Sequence, residues 1–227
     1  MVTEGTASVL ISAFNEEAKI AETVRATQKI PGVTQVIVVD DGSTDHTGRE
    51  AEKAGAIVIR STQNRGKGGA LNLGLAAVRG AYLLLLDADL GATAQEGQKL
   101  LAAVAQGRAD LAIGRFPDGP GKSGFGFVLA FARQVIRRLT GLTLSAPLSG
   151  QRALNQKALQ ALGGKFAEGF GVEVAMIIDL ARQGLVIEEV AVAMAHRKTR
   201  RNLTGFLHRG RQFLHICRAV GPRLFAH

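Results

Sequence analysis

Two aspartates separated by a single residue give the strongest chemical signal in the sequence. Asp87 and Asp89 directly follow Ala81–Leu86, an apolar run with the composition of a buried strand. Side chains two positions apart on a strand share a face, so both carboxylates can approach one cation. Carboxylate and phosphate oxygens are the ligands that Mg²⁺ and Mn²⁺ prefer. The pair therefore predicts a divalent-metal site that neutralises a departing nucleotide diphosphate. Solvated aspartates in a strand-end turn are the alternative.

Two further motifs contain groups suited to nucleotides and phosphates. The run from Asp40 to Asp45 places two acids and a glycine turn after a buried strand. An acid at that point can accept hydrogen bonds from a ribose hydroxyl or a base N–H, whereas Asp45 is predicted to cap the next helix. The glycine-rich stretch Asn64–Ala70 precedes another helix, so its backbone N–H groups and Lys67 are predicted to face phosphate.

A regular alternation of strands and helices positions these motifs. Such βαβ alternation predicts an α/β fold with a mostly parallel sheet and helices on both faces. Ligands of these sheets bind beyond the carboxyl ends of the strands, where the acidic and glycine-rich motifs stand. The predicted strands are 8–13, 35–39, 56–60, 81–86 and 111–114, and the predicted helices between them are 16–29, 45–54, 67–78 and 94–105.

The remainder of the chain is less regular. We find no repeat and no linker, which favours a single domain. Helices are predicted at 128–139, 171–183 and 205–220, an extended segment at 185–192, and a turn at 147–152.

Composition describes a globular protein whose partners are acidic. The chain has 227 residues, of which 46% are apolar, so a disordered protein is excluded. The net charge of +9 implies nucleotides, phosphorylated acceptors, nucleic acid or an anionic membrane surface as partners. A solvated helix face is the alternative for the residues in which this charge gathers, namely Arg197, Lys198, Arg200, Arg201, His208, Arg209 and Arg211.

Cysteine content and hydropathy bear on location. Cys217 is the only cysteine, which excludes an internal disulfide and a C-x-x-C metal site. The N-terminal residues lack the pattern of a signal peptide, and the longest apolar runs are too short to span a bilayer. A cytoplasmic protein is therefore predicted. Peripheral contact with the inner membrane face and a homodimer both stay open.

In their order and spacing, the motifs resemble those of glycosyltransferase family 2. This resemblance implies the GT-A fold, a Rossmann-like, mostly parallel central sheet flanked by helices. A further stretch, Leu139–Leu154, resembles the acceptor-side segment of the dolichyl- and polyprenyl-phosphate sugar synthases. The likeness covers roughly residues 8–195, and its motifs are Ser12–Glu17, Asp40–Asp45, Asn64–Ala70 and Asp87-Ala88-Asp89.

The resemblance implies roles residue by residue. Asp87 and Asp89 would hold the metal, while Ser149, Gly150 and Arg152 would line the acceptor side. The implied nucleotide-sugar-binding residues are Ala13, Phe14, Asn15, Glu16, Asp40, Asp41, Lys67, Asp87 and Ala88.

Two positions depart from the polyprenyl-phosphate pattern. Ala146 and Gln151 stand where those synthases usually have an aspartate and an aromatic residue. A phosphorylated lipid and a phosphorylated small molecule therefore both stay open as acceptors. On the resemblance, the single domain is predicted to contain a nucleotide-sugar-binding half at 8–114, an acceptor-side half at 115–200 and a basic C-terminal helix at 201–227.

The C-terminal part resembles a second group, the glucosyl-3-phosphoglycerate synthases. The similar motifs are Gly169–Val174, Ile177–Leu180 and Ala195–Arg197. This resemblance implies that His196 is a third metal ligand, with its imidazole completing the Asp87 and Asp89 site. A surface histidine in a basic tail is the alternative.

The leading hypothesis is a metal-dependent hexosyltransferase that uses Mg²⁺ or Mn²⁺. It would move a sugar from a nucleotide-diphosphate sugar to a phosphate-bearing acceptor, polyprenyl phosphate or a phosphoglycerate-like molecule. Asp89 and Glu173 are the candidate catalytic residues, Glu173 as a general base or an acceptor-orienting group, with Asp179 as second choice. An anionic phosphate acceptor needs no base, so this role and the stereochemistry stay open.

Two other functions compete with this hypothesis. A sugar-phosphate nucleotidyltransferase would share the βαβ start and a metal aspartate, but it opens with a Gly-rich, Arg-bearing loop where this chain has Ala13–Glu16. A non-catalytic nucleic-acid or anionic-membrane binder would explain the basic tail. No RNA-binding aromatic signature accompanies that charge, so nucleic acid is not an expected partner.

Overall fold

The described residues form one sheet of seven strands. The computed structural model describes residues 5–116, 126–194, 217–218 and 220–223. The α/β class and the mostly parallel sheet are confirmed. The strands are β1 (Ala7–Ala13), β2 (Val33–Asp40), β3 (Ile57–Arg60), β4 (Tyr82–Asp87), β5 (Leu111–Arg115), β6 (Arg152–Asn155) and β7 (Ile187–Ala191). Their order in the sheet is β3-β2-β1-β4-β6-β5-β7.

Helices cover both faces of this sheet, as the continuous apolar strands require. Along β1, Val9 and Ile11 belong to one buried cluster, whereas Leu10 belongs to the other. The helices are α1 (Ile20–Gln28), α2 (Thr47–Lys53), α3 (Gly66–Leu75), α4 (Gly97–Ala105), α5 (Gly126–Thr140), α6 (Gln156–Ala161) and α7 (Val172–Arg182). The first cluster contains residues of α1 and α4, and the second contains residues of α3, α5 and α7.

The elements predicted in the first half are all present, with shifted ends. Helix α1 begins at Ile20 rather than Glu16, because Glu16 first forms a turn in which its carbonyl accepts hydrogen bonds from the amides of Lys19 and Ile20. Helix α4 begins at Gly97 rather than Ala94, since Gly91–Glu96 is a 3-10 helix. Helix ends are the least certain part of a sequence prediction, and these differences stay within one turn or so.

The region after α5 departs further from the prediction. Residues 152–155 form strand β6, which pairs antiparallel with both β4 and β5, and helix α6 follows it. Neither element was predicted. A four-residue strand that begins with a charged arginine gives no periodic signal, so only the preceding turn was recognised. Most of the helix predicted at 205–220 lies outside the described residues.

None of the helices within the described ranges is both long and apolar enough to cross a membrane.

Candidate active site

The chemical motifs meet at the carboxyl edge of the parallel strands. Strand β1 pairs with β2 on one side and with β4 on the other. The register places Ala13 beside Asp40 and Ser12 beside Asp87. Neighbouring strands lie about 4.8 Å apart, so the acids that end β2 and β4 flank the end of β1 closely. The predicted gathering of these motifs at one sheet edge is what the structure has.

Backbone amides hold the two acids that end β2. The carboxylate of Asp41 accepts hydrogen bonds from the N–H groups of Arg65 and Gly66, both at 2.8 Å. Burial raises the pKa of Asp41, against these two hydrogen bonds and the charge of Arg65. The carboxylate of Asp40 accepts from the amide of Ser43 at 3.0 Å. Asp41 therefore joins the end of β2 to the glycine-rich start of α3.

The segment after β1 is locked to the loop before α2. Asn15 adopts a left-handed backbone, with φ of 55°, a conformation that asparagine tolerates better than most residues. Its side-chain oxygen accepts from the backbone N–H of Thr44 at 2.8 Å, and its backbone N–H donates to the hydroxyl of Ser43 at 3.0 Å. The amide of Glu16 donates to the hydroxyl of Thr47 at 2.7 Å. Beside this junction, 45% of Phe14 is exposed.

The helix cap expected at Asp45 is shifted by one residue. His46 occupies the N-cap position of α2, and its side chain makes no capping hydrogen bond. The Asp45 carboxylate still accepts from the amide of Thr47 at 2.9 Å. The cap assignment was wrong by one residue, because an aspartate can reach the first helical amide from the position before the cap as well. Asp45 is thus a structural residue of this loop.

Lys67 lies between two carboxylates. Its Nζ is 2.7 Å from Asp87 Oδ1 and 3.2 Å from Glu173 Oε1. The three side chains are largely withdrawn from solvent, with 18%, 28% and 11% of their surfaces exposed. Burial opposes the charged ammonium, but Asp87 and Glu173 outweigh it and raise the pKa of Lys67. Lys67 is therefore a permanent cation at the end of β4.

Gly150 makes this arrangement possible by having no side chain. A Cβ there would lie 2.2 Å from Lys67 Nζ and less than 3 Å from both carboxylate oxygens of Asp87. The position follows from the topology, since β6 runs antiparallel to β4 with Arg152 opposite Leu85. Because of this direction, the residues that precede β6 lie at the carboxyl end of β4. The unpredicted strand therefore delivers the predicted acceptor-side segment to the site.

Gln151 is a site residue that sequence reasoning treated only as a departure from a pattern. Its side chain is fully buried, and Nε2 donates to Asp87 Oδ2 at 2.6 Å. Its Oε1 accepts from the hydroxyl of Ser149 at 3.1 Å. A single glutamine in a turn gives no periodic or motif signal, so its contact with Asp87 could not have been found from the sequence.

Arg152 lies behind the site rather than at its surface. Only 1% of it is exposed, and its guanidinium donates to the backbone carbonyls of Ser149, Glu173 and Pro147 at 2.8–2.9 Å. Burial lowers the pKa of Arg152 to about 10, against the charges of Glu173 and Asp87. It stays protonated at neutral pH and ties the turn before β6 to the start of α7.

The turn that carries Asp89 is held from below by α1. The buried hydroxyl of Thr23 donates to the carbonyl of Ala88 at 2.8 Å and accepts from the amide of Gly91 at 2.9 Å. Ala88 is buried in the core, whereas Asp89 is half-buried at the edge. Thr23 is thus a second residue of the site that no motif marked.

The residues at this edge can be compared with the predicted metal site. Among the described residues, no three His, Cys, Asp or Glu side chains form a metal-binding group. His196, the predicted third ligand, lies outside the described residues. Mg²⁺ commonly takes one or two carboxylates and fills its remaining positions with water and substrate phosphates. Asp87 and Asp89 fit that requirement, because they bring two carboxylates to the same strand end.

Comparison with protein families finds one match over most of the chain. The model of glycosyl transferase family 2 matches residues 8–163. The glucosyl-3-phosphoglycerate synthase of Mycobacterium tuberculosis is 33% identical over an alignment of length 221, gaps included, and the match covers 85% of this chain and 67% of that protein. Human dolichyl-phosphate beta-glucosyltransferase is 38% identical over an alignment of length 102, gaps included, but the match covers only 38% of this chain and 31% of that protein.

Solved structures show the same fold. The glucosyl-3-phosphoglycerate synthase of M. tuberculosis in complex with Mn²⁺, uridine diphosphate and phosphoglyceric acid superposes with a TM-score of 0.80 at 30% identity. The match covers 98% of this chain and 79% of that one. The GT-A fold and both family resemblances are confirmed.

Proposed function

Because this chain belongs to glycosyl transferase family 2 and is a glycosyltransferase, we propose that it moves a hexosyl group from a nucleoside-diphosphate sugar to a phosphate-bearing acceptor. The observation that carries this proposal is the meeting of Asp41, Lys67, Asp87 and Asp89 at one sheet edge. That edge of an open α/β sheet is where ligands bind, and the residues there suit a ribose, a diphosphate and a cation.

The nucleoside would bind beside the junction of β1 and β2. Asp40 and Asp41 offer carboxylate oxygens to a ribose hydroxyl or a base N–H, and both are fixed by backbone amides. The exposed ring of Phe14 and the left-handed turn at Asn15 border the same space, together with Ala13 and Glu16. Carboxylates that are already fixed in this way lose little conformational entropy when a ligand binds.

The diphosphate would lie over the ends of β4 and α3. Lys67 supplies a permanent positive charge there, and the structural relative described above contains Mn²⁺ and uridine diphosphate. We propose that Asp89, with Asp87 beside it, holds Mg²⁺ or Mn²⁺ in this chain. When bound, such an ion neutralises the charge that develops on the leaving diphosphate.

His196 is retained as a third ligand in this proposal. Strand β7 runs parallel to β5, so its carboxyl end lies at the same edge as the ends of β1, β2 and β4. The chain leaves β7 with Ala193 held by Glu96 at 2.8 Å and with Met194 in the same buried cluster as Ala88. His196 follows two residues later, which supports an approach of the tail to this edge.

The acceptor would face Ser149, Gly150 and Glu173, in the half that spans residues 115–200. Glu173 is already paired with Lys67 at 3.2 Å, which favours a role in orienting the acceptor over one as a free base. Arg152 would contribute indirectly, by fixing the backbone at Ser149 and Glu173. We propose a small phosphorylated acid as the acceptor class, since the structure that contains phosphoglyceric acid matches nearly the whole chain.

Thermal shift followed by product analysis tests the proposal. Uridine diphosphate and UDP-glucose with Mn²⁺ should raise the melting temperature by mass action. Incubation of UDP-glucose with phosphoglyceric acid should then release uridine diphosphate and form a glycosylated acid. Transfer to polyprenyl phosphate instead would replace the acceptor class. Release of pyrophosphate from a nucleoside triphosphate would indicate the nucleotidyltransferase and overturn the proposal.

Asp89→Ala is the matched inactive variant. Because Asp89 is half-buried at the edge of a turn that Thr23 holds independently, its removal should abolish transfer while the melting temperature changes little. Full activity of this variant, or of the wild type in excess chelator, would contradict the metal site.

A further inference from the structure

Gln151 has a partner at each end of its amide. Its Nε2 donates to Asp87 Oδ2 at 2.6 Å, and its Oε1 accepts from Ser149 Oγ at 3.1 Å. A carboxylate can only accept hydrogen bonds, so the nitrogen end of the amide must face Asp87. Because the side chain is fully buried, water cannot replace either partner.

The backbone of Gln151 is fixed as well. Its carbonyl accepts from the amide of Gly114 in β5 at 2.8 Å. A Cβ on Gly114 would lie 3.1 Å from the Cβ of Gln151, so the glycine leaves room for the glutamine. The amide is therefore presented to Asp87 from a rigid part of the sheet and not from a loose loop.

The Asp87 carboxylate is consequently held from two sides. Lys67 contacts Oδ1 at 2.7 Å and Gln151 contacts Oδ2 at 2.6 Å. A carboxylate with one donor can rotate about its last side-chain bond, since that torsion is broad, whereas a separate donor on each oxygen fixes its plane.

We infer that Gln151 is a positioning residue of the donor site, which sets the plane of the Asp87 carboxylate towards the nucleotide and its metal. This inference rests on the proposed function. Gln151 acts through Asp87, so its effect should vanish when that carboxylate is absent. If the glutamine merely fills space, its replacement should lower nucleotide affinity by the same factor with or without Asp87.

A double-mutant cycle separates these two roles. Binding of uridine diphosphate with Mn²⁺ is measured by calorimetry for the wild type, Gln151→Leu, Asp87→Ala and the double variant. Gln151→Leu alone should weaken binding about tenfold, which corresponds to about 1.4 kcal/mol. In the Asp87→Ala background, the same change should alter affinity by less than about twofold.

A second cycle uses the protein without nucleotide. The melting temperatures of the same four proteins report whether the contact itself exists, and the combined loss should be smaller than the sum of the single losses. Gln151→Glu is the isosteric variant that keeps the volume but replaces the donor by an acceptor, so it should weaken nucleotide binding at least as much as Gln151→Leu.

Gln35→Leu is the matched control. Gln35 also has hydrogen-bond partners at both ends of its amide, since Nε2 donates to Ala77 and Oε1 accepts from Ser8 and Arg79. It lies near the start of β2, at the opposite edge of the sheet. Its loss should lower the melting temperature while leaving nucleotide affinity unchanged.

The outcomes separate the inference from the proposed function. Additive losses in both cycles would overturn the inference, and so would a Gln151→Glu variant that binds nucleotide as well as the wild type does. In either case, nucleotide binding by the wild type would still support the proposed function. A wild type that binds no nucleoside diphosphate with either metal would overturn the proposed function, and the inference with it.

Discussion

The two sides of the candidate site hold their carboxylates by different means. At the end of β2, Asp40 and Asp41 accept hydrogen bonds from backbone amides. At the end of β4, Asp87 is held by the side chains of Lys67 and Gln151. Backbone amides keep their place when a neighbouring side chain changes, whereas side-chain partners are lost with a single substitution. The β4 side should therefore respond to mutation far more sharply than the β2 side.

Gly150→Ala should give the largest effect on the β4 side. The added methyl group would overlap Lys67 Nζ and crowd the Asp87 carboxylate. Both are ends of side chains and can move, so we expect the fold to survive and transfer to fall by two orders of magnitude or more. Activity and circular dichroism measured together check this. Gly126→Ala, where an added Cβ meets nothing within 4 Å, should leave both unchanged. Wild-type activity in Gly150→Ala would remove the basis of the comparison.

Lys67→Met should come next. It leaves two carboxylates close together without their shared cation. Breaking a fully buried pair costs about 3–5 kcal/mol, and these groups are partly exposed, so we expect a loss of about 1–3 kcal/mol in the free energy of unfolding, with a larger loss of activity. Urea denaturation and steady-state rates check this. Lys53→Met, which breaks an exposed pair with Glu50, should leave the free energy of unfolding nearly unchanged. Equal losses in the two variants would contradict the prediction.

Asp41→Ala tests the backbone-held side. It removes an acceptor for the nucleoside and leaves the amides of Arg65 and Gly66 without this carboxylate. Nucleotide affinity should fall by about 1–3 kcal/mol, the usual cost of leaving hydrogen-bonding groups without partners. Calorimetry with a nucleoside diphosphate and metal measures it. Unchanged affinity in both Asp40→Ala and Asp41→Ala would show that the nucleoside binds elsewhere.

The smallest effect should come from Asp110, far from the site. Its carboxylate accepts from Asn155 and from the amide of Val186. Burial opposes ionisation, but these bonds and Lys157 outweigh it, so the pKa of Asp110 is lowered. The unfolded chain then binds the proton more tightly. The stability that Asp110 contributes is present above the ordinary value of about 3.9 and is lost as pH falls through the lowered native pKa.

Acid denaturation of the wild type and Asp110→Asn checks this effect. The wild type should lose stability more steeply below about pH 4, because the variant lacks the Asp110 carboxylate that is protonated in this range. Parallel profiles would show that Asp110 does not contribute to the acid sensitivity.

The parallel part of the fold could be predicted because its signals are local. Each buried strand is a continuous apolar run, and the acids and glycines that follow these runs mark the carboxyl edge. Asp40, Asp41, Asp87 and Lys67 could therefore be placed together from the sequence alone. Strand β6 could not, since four residues that begin with Arg152 have neither alternation nor length. Gln151 and Thr23 could not either, because their roles depend on neighbours 64 and 65 positions away.

The strand order also has a consequence for synthesis on the ribosome. Strand β5 has no contact with β4 in the sheet and pairs only with β6 and β7 among the described strands. A nascent chain that has emerged as far as β5 therefore cannot add that strand to the sheet until residues 152–155 follow. During this interval the backbone N–H and C=O groups on one edge of β4, a strand rich in leucine, have no partner strand. Such an unpaired edge can pair with another chain. Protein made from a message truncated between β5 and β6 should accumulate as insoluble aggregate.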